Sequence, residues 1–214
     1  MTRETLSREK VLDAALRLAG EQGLAGLSMR RLAAEVGVEA MSLYNHVANK
    51  GDLLDGMAAR VFENIALPDP ALPWEERLRT LGTAAFKSFT EHPVVVRALA
   101  AGQANPRSAG ALRLIDAILG ALLDGGLDER RAARGYRSLM SLLFGSALRD
   151  SVDLAGNIPE RAEPITDWFR RNVDPGALPS LHRTLPALMD VDCLPDFADE
   201  LDLLIAGLSI PGRR

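Results

Sequence analysis

Leu27-Ser28-Met29-Arg30-Arg31-Leu32-Ala33-Ala34-Glu35-Val36-Gly37-Val38-Glu39-Ala40-Met41-Ser42-Leu43-Tyr44-Asn45-His46-Val47 is the stretch on which the fold turns. Its apolar residues recur at helical spacing on either side of a glycine, which predicts two short helices, Met29 to Val36 and about Ala40 to Val47. Two helices that cross steeply need a small residue at the crossing and a left-handed residue in the turn. Ala33 and Gly37 supply them. Leu32, Val36, Val38, Leu43 and Val47 then point inward and pin the pair against a preceding helix. Ala40, Met41, Ser42, Tyr44, Asn45 and His46 remain outward, a face with hydrogen-bonding groups and no acid, as a helix that reads a DNA major groove requires.

Working outward, Ser7 to Gln22 reads as the preceding helix, with Ser7 its N-cap, an apolar stripe from Val11 to Ala19, and Gly23 its end. A fourth helix begins near Asn49 and carries Leu53, Leu54, Met57, Val61 and Ile65 on one side. The break at Pro68-Asp69-Pro70-Ala71-Leu72-Pro73 divides the chain into a small unit, 1–67, and a larger one, 68–214. In the larger unit the 3.6-residue period persists, with helices at about 73–91, 93–102, 106–124, 128–151, 161–172, 178–189 and 194–209. No segment alternates with period two, so the expected class is all-α. The stretches 150–164 and 173–179 read as mobile surface connections.

The composition agrees. In 214 residues, 47% are hydrophobic, enough for a core, and only 5% are aromatic, while β-branched runs are scarce, which disfavours sandwiches and barrels. One cysteine, Cys193, forms no internal disulfide, and neither a leader-like apolar segment nor a membrane-length one is present, so a cytoplasmic location is expected. The net charge of −4 argues against an architectural protein that coats nucleic acid. Residues 1–50 nevertheless carry net +1, which leaves room for a local contact surface.

The same stretch resembles the TetR family of transcriptional repressors. The resemblance is carried by Leu43-Tyr44-Asn45-His46-Val47-Ala48-Asn49-Lys50 with Asp52-Leu53-Leu54, and at the far end by Leu194-Pro195-Asp196-Phe197 leading into 201–208, similar to the tetracycline repressor branch. It implies a helix-turn-helix DNA-binding unit, a helical ligand-binding and dimerisation unit, a homodimer, and a double-stranded palindromic operator as partner. It further implies that Arg30, Ser42, Tyr44, Asn45, His46 and Lys50 meet bases or phosphates, with Tyr44 and Lys50 acting on the backbone. Arg30 lies within reach of a guanine edge or a phosphate, and Ser28 caps its helix at a terminus directed at the duplex. Ala40 and Met41 depart from the polar residues usual there and suit thymine methyls.

In the larger unit the resemblance implies a cavity for a small effector, and Phe86, Phe89, Leu112, Ile115, Met140, Phe144 and His182 are its candidate lining. Helices 128–151 and 194–209 are the expected dimer elements, on the strength of Tyr136, Leu139, Met140, Leu143, Phe144 and Leu148 in one and Phe197, Leu201, Leu204, Ile205 and Leu208 in the other. The tetracycline branch holds a magnesium–drug chelate. Leu99-Ala100-Ala101 and Arg149-Asp150 stand around the corresponding positions, so no metal or cofactor is expected, and the walls suit a largely apolar effector. An enzyme is not expected, because Gly145-Ser146 lacks the Gly-x-Ser-x-Gly context and no glycine-rich phosphate loop occurs.

Overall fold

The computed structural model describes residues 6–105, 107–151, 165–190 and 192–209. Within them the elements are α1 (Arg8–Gly26), α2 (Met29–Glu35), α3 (Ala40–Leu43), α4 (Lys50–Glu63), α5 (Trp74–Glu91), α6 (Pro93–Ala100), α7 (Ala109–Asp124), α8 (Glu129–Ser151), α9 (Ile165–Asn172), α10 (Pro179–Met189) and α11 (Cys193–Ser209). All are helices, as the period required.

Side chains chosen for their short polar reach start several of these helices. The Ser7 hydroxyl accepts from the Lys10 amide, Ser28 from Arg31, Asn49 from Asp52 and Ser108 from Ala111. Each satisfies one of the amides that the first helical turn leaves orphaned. The Ser108 cap corrects the expected start of α7 at 106, and Pro106 itself lies outside the described residues. Gly23 sits at φ +68° and breaks the regular path of α1, after which one more turn reaches Gly26.

The 161–172 helix is described from Ile165, and its first four residues fall outside, as do 152–164 of the expected mobile connection. The other expected mobile stretch is corrected. Val173 is buried, and the Asp174 carboxylate accepts from the amides of both Gly176 and Ala177 at 2.7 Å, so a hydrogen-bonded turn joins α9 to α10.

Among the described residues, one core takes in α1 to α8 and α11. Val11, Leu32, Leu43 and Met57 belong to the same buried cluster as Phe86, Ile118, Leu139 and Phe197. α4 carries that continuity, since it packs on α1 at one side and on α5, α6 and α7 at the other. Its Phe62 meets Phe89 of α5 edge to face with centroids 5.8 Å apart. Burying a side chain of this size stabilises by about 1.5–3 kcal/mol, so the junction contributes to stability as well as position. No described helix is long and apolar enough to cross a membrane.

Candidate nucleic-acid interface

The α2–α3 pair is built as its spacing demands. Leu32, Ala33, Leu43 and Val47 are buried, Gly37 takes φ +69°, and the Val38 amide donates to the Ala33 carbonyl across the turn. With the inner positions filled, the outer ones have nowhere to go but solvent. Met41 is 74% and Tyr44 47% exposed, Asn45 is exposed, and Ala40, Ser42 and His46 are half-buried. Arg30 and Lys50 stand exposed on either flank.

The second helix is shorter than expected. α3 ends at Leu43, whose carbonyl accepts from both His46 and Val47, so Tyr44, Asn45 and His46 lie on the turn that follows. The cause is competition for backbone groups. The His46 carbonyl accepts from the Arg8 guanidinium and the Ala48 amide donates to Asp52 at 2.8 Å, which removes both from a continuing helical ladder. Lys50 reaches the Leu24 carbonyl at 3.5 Å and is thereby held beside the end of α1.

α4 is fastened to α1 at both ends. Arg8 grips both oxygens of Asp52, at 2.6 and 3.1 Å, and Arg60 pairs with Asp13 at 3.1 Å. The hydrogen bond from Arg8 holds the Asp52 carboxyl below the usual carboxylate range, and the bond that Arg60 donates to Asp13 raises the pKa of Arg60. Sequence reading missed this frame. Asn49 and Asp52 carry the signature of reciprocal helix capping, but nothing local ties Arg8 to a residue 44 positions away.

Residues 11–57 match the family described as bacterial regulatory proteins, tetR family, and residues 67–210 match the tetracyclin repressor-like C-terminal domain. The chain belongs to the TetR family. Among its relatives is the HTH-type transcriptional repressor DrrR1 of Streptomyces coeruleorubidus, 43% identical over 93 residues, which are 42% of this chain and 34% of that one. The chain thus spans about a third of the length of DrrR1. The class A tetracycline repressor protein from transposon 1721 of Escherichia coli is 31% identical over 79% of this chain and 80% of its own. In three dimensions the chain resembles ActR of Streptomyces coelicolor in complex with actinorhodin, with TM-score 0.79 and 26% identity over 95% of this chain and 97% of that one.

Of the seven residues expected to line a cavity, this TetR-family chain packs Phe89 on Phe144 and leaves Leu112 and His182 exposed. Phe86 stacks on Phe197 at 4.1 Å and Phe89 on Phe144 at 5.5 Å, so these rings fill the core. Ile115 and Met140 are half-buried. Leu112, 66% exposed, and His182 are corrections, because both sit on outer faces of α7 and α10. Helical spacing placed Leu112 with Ile115, but Leu114 and Ile118 set the inward side of α7. The apolar space lined by Leu78, Leu122, Gly135 and Leu139 on one side and Leu201, Leu204, Ile205 and Leu208 on the other has no room for a water molecule.

Within the expected dimer elements, α8 and α11, the named residues need a similar correction. Leu139, Leu143, Phe197, Leu201 and Ile205 are buried within the chain. Among the residues that α11 leaves exposed are Leu203, at 75%, Ala206 and Gly207, and α8, which packs on α11, leaves Ser138, Ser141 and Gly145 exposed. Among the described residues no group of three or more His, Cys, Asp or Glu side chains is placed to hold a metal ion.

Proposed function

We propose that the chain is a sequence-specific DNA-binding transcriptional repressor, a homodimer released from a palindromic operator by a small, largely apolar organic effector. The observation that carries the reading is the acid-free outer face of α3 and its following turn, held rigid by wholly buried Leu32, Leu43 and Val47. In this reading 1–67 is the reading head and 68–214 the effector and dimer unit. Arg30 and Asn45 address base edges, while Tyr44 and Lys50, with the half-buried His46 and Ser42, set register against the backbone. Ser28 caps α2, and Met41 and Ala40 offer methyl-sized apolar contact to thymine.

The dimer reading rests on the exposed Leu203, Ala206 and Gly207 of α11 and on the paired half-sites that a two-fold protein matches. The effector reading rests on the aromatic wall of α5, α8 and α11. An occupant that parts the Phe89–Phe144 stack acts directly on α4, because Phe89 also carries Phe62. The side chains of Leu99, Ala100 and Ala101 offer no ligand to magnesium, so release is expected to be independent of Mg²⁺. The relatives are named as repressors, which accords with a chain that carries no enzyme activity.

The test is selection of genomic fragments by the full chain, followed by gel-shift titration of the retained sequences. A palindromic site bound at nanomolar concentration is expected, at least about 10³ tighter than scrambled duplex. Retention without sequence preference refutes the reading. Release of that site by tetracycline only when Mg²⁺ is present refutes the effector part alone.

A further inference from the structure

Tyr44, Asn45 and His46 are the outward residues that follow the last residue of α3. The turn they form is tied by two amides, of His46 and Val47, to the Leu43 carbonyl, and on its far side by the Arg8 guanidinium at the His46 carbonyl. That guanidinium also grips both Asp52 oxygens, and Asp52 in turn accepts from Ala48 at 2.8 Å. One cation therefore joins α1, the turn after α3 and the first turn of α4. Gly56 keeps the space open, since a Cβ there would stand 2.7 Å from Leu12 and 3.2 Å from an Arg8 nitrogen.

Resting on the DNA-binding reading above, we propose that Arg8 is a positioning residue for base readout, which sets the pose of Tyr44, Asn45 and His46 through the His46 carbonyl and Asp52 without touching DNA. The charge balance supports this over a phosphate contact. Arg8 is already neutralised by a carboxylate that holds two of its donors, and a phosphate arriving there would meet Asp52. The planar fork matters too: a lysine supplies charge at one point and cannot span two carboxylate oxygens and a carbonyl in that plane.

The full chain is compared with Arg8→Lys, Arg8→Ala and Asp52→Asn, on matched operator, on scrambled duplex and over a range of salt. For Arg8→Lys, affinity for the operator is expected to fall about tenfold, within the range that a misplaced bidentate base contact loses. Affinity for scrambled DNA, which loses only what Tyr44 and His46 contribute at the backbone, is expected to fall by clearly less, and the salt slope stays unchanged. Asp52→Asn is expected to fall alike, and the double variant no further than either alone.

A salt slope lower by about one in Arg8→Ala and restored by lysine overturns the proposal in favour of a direct phosphate contact. Equal losses on matched and scrambled DNA also overturn it, as does an Arg8→Lys protein indistinguishable from the parent. Should Arg8→Ala not fold, Arg8→Lys and Asp52→Asn decide alone. Amide hydrogen exchange in the free protein separates this idea from the reading it rests on. Val47 and Ala48 are expected to exchange about tenfold faster in Arg8→Lys, and unchanged exchange refutes the clasp whether or not an operator is found.

Discussion

The carboxylate of Asp55 in α4 accepts a hydrogen bond at 2.6 Å from the backbone amide of Asn105, fifty residues further along the chain. Asp55 lies one turn beyond the capped start of α4, and Asn105 lies in the segment between α6 and α7. The reading head and the larger unit are thus joined by a polar bond as well as by apolar packing. Asp55→Ala should lower stability by about 1.5–3 kcal/mol, the range for a hydrogen bond to a charged group, with exposure favouring the low end. A fall of roughly 3–6 °C in the midpoint of thermal unfolding checks it, together with faster exchange of the Asn105 amide.

Gly110 marks the second joint. A Cβ at this position would lie 3.0 Å from the Glu63 Cα and 3.2 Å from its backbone nitrogen, atoms that cannot rotate aside. Gly110→Ala must therefore lift α7 from the end of α4, even though alanine favours helix. A net loss of about 1–3 kcal/mol is expected on denaturant unfolding, and a stabilised variant would show that the helices do not approach so closely.

How much of this was legible in the sequence depends on how far apart the partners lie. The α2–α3 pair was readable because Leu32, Ala33, Gly37, Leu43 and Val47 carry their instructions within fifteen positions. The extent of α3 was not, because the groups that stop it, Arg8 and Asp52, lie outside that window. The effector wall was legible only as a set of apolar helices. Which side of α7 faces inward was settled by Leu114 and Ile118 together with what α4, α5 and α8 offer them, so Leu112 was misplaced.

At the proposed DNA surface, Tyr44→Ala and Lys50→Ala should weaken binding to every duplex, since backbone contacts carry no sequence information. Arg30→Ala and Asn45→Ala should lose about 1–3 kcal/mol on the matched site and little on scrambled DNA. Fluorescence anisotropy on both duplexes separates the two pairs, and four uniform losses would remove the assignment of roles.

Self-association should depend on the large apolar side chain that α11 leaves most exposed, Leu203. Leu203→Glu is expected to shift sedimentation from twice the chain mass towards the single chain at micromolar concentration, without loss of helicity, because a carboxylate on each side of a two-fold contact must be desolvated. A parent protein that already sediments as a single chain would contradict the dimer.

Acid should weaken the clasp at the head. The Asp52 carboxyl titrates below its ordinary range in the folded chain, so the unfolded chain binds more protons as pH falls below about 4, and stability falls with it. The gap in unfolding midpoint between the parent and Asp52→Asn should be full at neutral pH and shrink below pH 4. A constant gap would show that the ion pair is not what Asp52 contributes.

The shared role of α4 bears on how such heads can be recombined. Phe62 and Ile65 are buried at the end of α4, and Phe62 packs on an aromatic ring from beyond the proline-rich break. A fragment severed at that break would carry a bare greasy seam and should aggregate. Grafting this head onto another member's body would likewise mismatch the ring that Phe62 leans on. New operator preferences are more safely transplanted as the short run from Leu27 to Val47 into members that keep an arginine and an aspartate at the places of Arg8 and Asp52, leaving α4 with the partner it was fitted to.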